Sequence, residues 1–139
     1  MKAGRVRVLR PETGMHVERA FGDALPVAET VLVVDDQDIV RDVIRLSLEG
    51  AGYVVREAAS PLEALSIVRE DAAIDLLVTD VVMPEMDAFE LTERMSFEVP
   101  GLRVLYTSGY TDAGAEGPFI QKPFTPGQLV EKVASVLAG

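Results

Sequence analysis

The chain has 139 residues, 48% of them hydrophobic, which is enough for one globular domain and too apolar for a disordered chain. A net charge of −10 disfavours non-specific contact with nucleic acid or anionic membranes, and the lack of cysteine excludes disulfides, thiolate catalysis and cysteine-bound metals. Neither a signal-peptide pattern nor an apolar run near the roughly 18 residues of a membrane span is found, so we expect a soluble cytoplasmic protein.

The first part of the chain differs from the rest in charge. Residues 1–28 carry five basic and three acidic residues, net +2, whereas residues 29–139 carry eight basic and 20 acidic residues, net −12. This shift predicts a boundary between Pro26 and Glu29. One alternating stretch, residues 5–10, is too little for a domain, so we interpret residues 1–28 as a tail or interdomain linker.

Five apolar segments typical of strands follow one another from Thr30 onward. The first ends at the acidic pair Asp35 and Asp36. The third delivers a single carboxylate, Asp80, shortly before Pro84. The predicted strands are 31–34, 53–55, 74–80, 102–106 and 119–121.

Amphipathic segments typical of helices alternate with these strands. Two of them begin with a capping sequence, Ser or Thr followed three residues later by Glu or Gln, at Ser60 and Thr125. We expect Asp38 to cap the first helix. The predicted helices are about 38–49, 61–71, 89–95 and 126 onward. The apolar face of the first comprises Ile39, Val40, Val43, Ile44 and Leu48, and that of the last comprises Leu129, Val130, Val133, Val136 and Leu137.

Strands that alternate with helices predict an α/β fold in which right-handed crossovers build a parallel sheet with helices on both faces. Since the carboxyl ends of parallel strands meet at one edge, the polar residues there should lie together. These residues are Asp35, Asp36, Asp80, Ser108 and Lys122. Three carboxylates repel one another unless a cation lies among them, and their oxygens suit Mg²⁺. With a hydroxyl and an ammonium nearby, the cluster indicates a phosphoryl site.

The same motifs, in this order, resemble the receiver domain of two-component response regulators over about residues 30–138. The motifs are Asp35-Asp36, Asp80-Val81-Val82-Met83-Pro84, Ser108-Gly109 and Lys122-Pro123-Phe124. The resemblance implies a receiver domain over residues 29–139 with a single doubly wound, flavodoxin-like sheet of five strands in the order 2-1-3-4-5. Residues 1–28 also resemble the end of a histidine-kinase ATP-binding domain, as in hybrid kinases with a C-terminal receiver.

The resemblance assigns the metal ligands and the nucleophile. Asp80 would be the phosphoacceptor. Asp35 and Asp36 would hold Mg²⁺ together with Asp80 and the backbone carbonyl of Val82. A histidine kinase or a phosphotransfer domain would be the partner that supplies the phosphoryl group.

The resemblance also assigns the residues that respond to phosphate. Ser108 would bond a phosphoryl oxygen, Lys122 would pair with the phosphate, and Phe119 would be the switch aromatic. The acyl phosphate would then bias a two-state arrangement of loop and ring. Catalysis would be limited to gain and loss of the chain's own phosphoryl group.

The chain departs from the family pattern at two places. Ala88 stands where the family commonly has Gly, which costs on the order of 1 kcal/mol if that backbone position has positive φ. Only residues 109–117, three of them Gly, separate Ser108 from Pro118. A helical crossover needs about a dozen residues. We therefore expect the family's fourth helix to be shortened or absent and this segment to be irregular.

Two other functions compete with the phosphoacceptor switch. One is an interaction module with a receiver-like fold that no longer takes phosphate, which the short segment 109–117 suggests. The other is a Mg²⁺-dependent phosphohydrolase of the haloacid-dehalogenase type, which also uses an aspartate nucleophile. Its Asp-x-Asp pattern is matched by Asp36-Gln37-Asp38 only in spacing, and little chain is left for a substrate cap.

Overall fold

The computed structural model of the protein describes residues 28–109 and 117–139. The strands are β1 (Thr30–Val34), β2 (Val54–Ala58), β3 (Leu76–Asp80), β4 (Arg103–Ser108) and β5 (Phe119–Gln121). The helices are α1 (Asp38–Gly50), α2 (Pro61–Glu70), α3 (Ala88–Glu98) and α4 (Pro126–Ala138). No helix in these two ranges is long and apolar enough to cross a membrane.

The five strands form one parallel sheet in the order β2-β1-β3-β4-β5, which confirms the predicted fold class. The register aligns the carboxyl ends of the central strands. Val34 of β1 lies beside Thr79 of β3, and Asp80 of β3 lies beside Thr107 of β4. The residues that follow β1, β3, β4 and β5 therefore meet at the same edge of the sheet.

The core lies on both faces of β1 and β3, as expected for the central strands of a parallel sheet. Leu32 and Leu77 pack with residues of α2 and α3 on one face. Val33 and Val78 pack with residues of α1 and α4 on the other face. Each fully buried Leu or Val stabilises the fold by about 1.5–3 kcal/mol, so these two layers hold the strand ends rigidly in register.

Both predicted capping sequences are formed. The Ser60 hydroxyl accepts the backbone N–H of Glu63 at 3.1 Å, and Thr125 and Gln128 form a reciprocal capping box. All five hydrophobic residues predicted to face inward on α4 belong to the α1 and α4 side of the core. The α3 helix is longer than predicted: it begins one residue earlier, at Ala88, where Asp87 caps it by accepting the N–H of Glu90, and it ends three residues later, at Glu98.

The apolar face predicted for α1 is wrong at two positions. Ile39 is 79% exposed and Val43 is 42% exposed. The helix is rotated so that Arg41 and Arg45 face β2, where both pair with Glu57. Ion pairing with an edge strand therefore replaces hydrophobic contact along that side of the helix.

The cap predicted for α1 is also wrong. Gln37 occupies the N-cap position and makes no side-chain capping bond. Asp38 is instead the first helical residue, where its carboxylate pairs with the guanidinium of Arg41. A carboxylate in the first turn still interacts favourably with the helix dipole.

The conditional cost at Ala88 does not arise. Ala88 is buried as the first residue of α3, and within the described ranges the non-glycine residue with positive φ is Glu85, at φ 79°. The left-handed turn thus lies three residues earlier than the position considered from the sequence. Residues 1–28 were expected to form a tail or linker, and residues 109–117 were expected to be irregular in place of a helix. Almost all of these residues, 1–27 and 110–116, lie outside the described part of the chain.

A buried carboxylate joins the amino ends of β1 and β3. The Asp75 Oδ2 atom accepts the Thr30 N–H at 2.7 Å, and the Asp75 N–H donates to the Thr30 carbonyl at 2.9 Å.

We predict that Asp75→Ala lowers the free energy of unfolding by about 1–3 kcal/mol, because a buried donor loses its acceptor. Urea denaturation measures this loss. Asp71→Ala removes an exposed carboxylate and should cost clearly less, and equal losses would contradict the assigned contact.

Candidate functional site

Three carboxylates meet at the carboxyl edge of the sheet. One oxygen each from Asp35, Asp36 and Asp80 lies within 4.8 Å of the others. Asp35 directly follows β1 and is only 1% exposed, Asp80 ends β3 and is partly buried, and Asp36 is exposed. The cluster therefore opens from the sheet edge toward solvent, so a small ion or anion can reach it.

Backbone contacts hold the two deeper acids in place. The Asp35 N–H donates to the Ala58 carbonyl at 3.2 Å, and the Asp35 Oδ1 atom accepts the Gln37 N–H at 2.8 Å. Asp80 is the last residue of β3 paired with β4, and the following N–H, of Val81, donates to the Thr107 carbonyl. The fold thus places both carboxylates before any ligand binds.

Lys122 directly follows the edge strand β5 and reaches the carboxylates at the ends of β1 and β3. Its N–H donates to the Ser108 carbonyl at 2.7 Å, which fixes the backbone just after β5. Its ammonium lies 3.2 Å from Asp35 Oδ2 and 3.4 Å from Asp80 Oδ2. One cation therefore serves two carboxylates, and the cluster of three acids and one lysine keeps an excess of negative charge.

The pKa of Asp80 reflects this imbalance. Burial raises the pKa of the Asp80 carboxyl above its ordinary value, and the negative charge of Asp35 raises it further. The Lys122 ammonium and the Val82 N–H, which donates to this carboxylate, lower the pKa without reversing the shift. A further positive charge at the site would favour the ionised, nucleophilic form of Asp80.

The other predicted site residues take distinct positions around the cluster. Ser108 ends β4 and is buried. Phe119 begins β5 and is partly buried against a hydrophobic cluster that includes Tyr106 and Phe89, and the ring centroids of Tyr106 and Phe89 are 5.1 Å apart. Val82 is 60% exposed beside Asp80, and its carbonyl as a metal ligand stays a prediction.

Two residues beside the site were missed from the sequence. Arg41 of α1 donates to the backbone carbonyl of Asp35 at 2.7 Å. Thr107 lies next to Asp80 in the sheet and is fully buried, and its hydroxyl has no hydrogen-bond partner among the described residues. Neither residue belongs to a short motif, and only the rotation of α1 and the strand register bring them to the site.

Comparison with known proteins shows the same architecture. The sensor kinase CckA of Brucella abortus (strain 2308) is 39% identical over 117 residues, which are 78% of this chain and 12% of that protein. The response regulator SaeR of Staphylococcus aureus (strain USA300) is 28% identical over 77% of this chain and 50% of that protein. The crystal structure of the receiver domain from the hybrid histidine kinase CckA aligns with a TM-score of 0.70 and 37% identity, covering 78% of this chain and 98% of that one.

The chain spans half or less of the length of these two curated relatives, so the similarity concerns one domain of each. The family model described as the response regulator receiver domain matches residues 31–134, a range that includes the three carboxylates, Ser108 and Lys122. The chain belongs to the response regulator receiver domain family.

Proposed function

We propose that this receiver domain takes a phosphoryl group from a phosphohistidine onto Asp80 and signals through the conformational change that follows. The observation that carries the proposal is the shared contact of Lys122 with Asp35 and Asp80, inside a cluster of three carboxylates. A purely structural ion pair would need only one carboxylate. The surplus of acids at an open edge is the arrangement expected for a cation and a phosphoryl group.

The acidic cluster fits Mg²⁺ by the chemistry of its donors. Asp35, Asp36 and Asp80 each offer a carboxylate oxygen within 4.8 Å of the others, and hard oxygens are the ligands that Mg²⁺ prefers. These residues would hold the ion, with the Val82 carbonyl as a further proposed ligand. When bound, Mg²⁺ supplies positive charge that offsets the charge on the phosphoryl oxygens.

The chain's own residues then account for the transfer. A carboxylate oxygen of Asp80 attacks phosphorus, an O–P bond forms, and the P–N bond to the donor imidazole breaks with its electron pair returning to nitrogen. Lys122 already lies 3.4 Å from Asp80, so its ammonium can move from the carboxylates to the transferred group. The Ser108 hydroxyl is proposed to bond a phosphoryl oxygen.

The readout is proposed to pass from Ser108 to Phe119. Ser108 pairs with Gln121 in the register of β4 and β5, and Phe119 pairs with Tyr106. A shift of Ser108 toward Asp80 would therefore disturb the strand pair that carries Tyr106 and Phe119.

The proposed partner is a histidine kinase or a phosphotransfer domain in the cytoplasm. The 39% identity with the sensor kinase CckA of Brucella abortus supports a place in a hybrid kinase. In that arrangement residues 1–28 would be the linker and residues 29–139 the receiver. Beyond gain and loss of its own phosphoryl group, the domain is proposed to have no substrate.

Phosphorylation by a small donor tests the proposal. With acetyl phosphate and Mg²⁺, we expect intact-mass spectra to show one added phosphoryl group on the wild type and none on Asp80→Asn. Asp42→Asn, which removes an exposed carboxylate of α1, is the matched control and should react like the wild type. Equal labelling of Asp80→Asn would refute the assignment, and no labelling of any variant would favour the interaction module.

A second prediction separates Asp36 from Asp38. Asp36→Asn should weaken Mg²⁺ binding by an order of magnitude or more, since it removes one of the three clustered oxygens. Asp38→Asn should change the affinity far less, because its carboxylate pairs with Arg41 outside the cluster. Isothermal titration calorimetry with Mg²⁺ measures the affinity of both variants. Equal losses of affinity would indicate that the metal binds elsewhere.

A third prediction concerns pH. The pKa of Asp80 is raised in the folded state above its ordinary value. Above the ordinary pKa the unfolded chain therefore loses this proton more readily than the folded protein. The resulting loss of folding free energy grows with pH until the raised pKa is passed. Without Mg²⁺, Asp80→Asn should therefore melt at a higher temperature than the wild type at neutral pH. The difference should shrink toward acid pH in thermal denaturation. A variant that is less stable than the wild type at neutral pH would contradict the charge argument.

A further inference from the structure

We propose that Arg41 is a positioning residue for the metal-binding acids, because its guanidinium fixes the backbone of residues 35–38 in the geometry that brings Asp36 to the cluster. The inference rests on the proposed function, since it concerns how the acidic site is held ready for a divalent cation. Arg41 itself is not proposed to touch the ion or the phosphoryl group.

The guanidinium of Arg41 makes three contacts in three directions. Its Nη1 atom donates to the Asp35 carbonyl at 2.7 Å, and its Nη2 atom donates to Asp38 Oδ1 at 2.6 Å. Its Nε atom lies 3.4 Å from Glu57 Oε1, in β2. The side chain is only 15% exposed, so these contacts are partly shielded from solvent. One planar group thus ties both ends of the segment to the sheet.

Asp36 depends on this segment because its own side chain is not held. Within residues 28–109 and 117–139, no hydrogen bond or ion pair fixes the Asp36 carboxylate, which is exposed. The N-cap residue Gln37 makes no side-chain capping bond either. The backbone between Asp35 and Asp38 therefore sets the position of the Asp36 Cα–Cβ bond, from which the carboxylate reaches the cluster. Arg41 is the side chain that bonds to both Asp35 and Asp38.

The positive charge of Arg41 is balanced by neighbouring carboxylates. Asp38 and Glu57 both pair with the guanidinium, so little of its positive charge is left to repel a cation bound at the cluster. The role is therefore geometric. A lysine at this position would keep the charge but could not reproduce the fork that reaches a carbonyl and two carboxylates together.

The chain offers a matched control one helical turn later. Arg45 also pairs with Glu57, at 3.1 Å, and with Glu49, at 3.3 Å. It makes no contact with residues 35–38 within the described part of the chain. Arg41 and Arg45 thus share the helix, the charge and the partner Glu57, and they differ in the contacts with the Asp35 carbonyl and with Asp38.

The test compares Arg41→Gln, Arg41→Lys and Arg45→Gln with the wild type by Mg²⁺ titration calorimetry. We expect both Arg41 variants to weaken Mg²⁺ binding about ten- to a hundredfold, the range typical of residues that orient metal ligands. Arg45→Gln should leave the affinity within about twofold of the wild type on the same reasoning. Thermal midpoints measured alongside show whether each variant is folded. If Arg41→Gln is not folded, the Mg²⁺ affinity of Arg41→Lys decides the test.

A readout without metal separates positioning from general stability. In the ion-free protein, the amide of Gln37 should exchange hydrogen faster in both Arg41 variants than in Arg45→Gln at equal overall stability. Unchanged Mg²⁺ affinity in Arg41→Lys, or equal losses in Arg41 and Arg45 variants, would overturn the role of Arg41. Failure of the wild type to bind Mg²⁺ would instead overturn the proposed function, and the inference with it.

Discussion

Crowding of negative charge at one edge of the sheet is the constraint on which the site depends. Two buried or partly buried carboxylates, Asp35 and Asp80, share the single ammonium of Lys122, and the exposed Asp36 lies within the same cluster. A pair of this kind is costly in a partly desolvated place unless more positive charge arrives. The fold accepts that cost and so creates a site that favours a cation and then an anion. Under the proposed function, the residues that would bind the ion are therefore the same residues that lower the stability of the ion-free fold.

The fold makes this crowding possible through the rigidity of its central strands. Because β1 and β3 are covered on both faces, their ends cannot drift apart to relieve the repulsion. Contacts outside the cluster complete the arrangement. The backbone after β5 is tied to Ser108, which directs Lys122 inward, and the loop after β1 is tied to Arg41 and to β2. The acids are thus fixed from several sides by groups that do not themselves bind a ligand.

Much of the fold and the carboxylate cluster could be predicted from the sequence, because both follow from local patterns and from one topological rule. The continuous apolar segments predicted that the central strands are buried. The rule that parallel strands end at one edge predicted that Asp80 lies beside Asp35 and Lys122. The rotation of α1 could not be predicted. Hydrophobicity alone placed Ile39 and Val43 inward, whereas pairing of Arg41 and Arg45 with Glu57, a contact distant in sequence, decided otherwise. The position of the buried Thr107 hydroxyl could not be predicted either, since only the pairing of β3 with β4 places it beside Asp80.

We propose that the Lys122 ammonium leaves the carboxylates for a phosphoryl group held on Asp80. A crystal structure of the protein with Mg²⁺ and beryllofluoride, a mimic of the aspartyl phosphate, tests it most directly. We expect beryllium bonded to a carboxylate oxygen of Asp80, the Lys122 ammonium within hydrogen-bond distance of a fluoride, and Mg²⁺ among Asp35, Asp36 and Asp80. Beryllofluoride bound at another residue, or Lys122 still bridging Asp35 and Asp80 in the adduct, would contradict it.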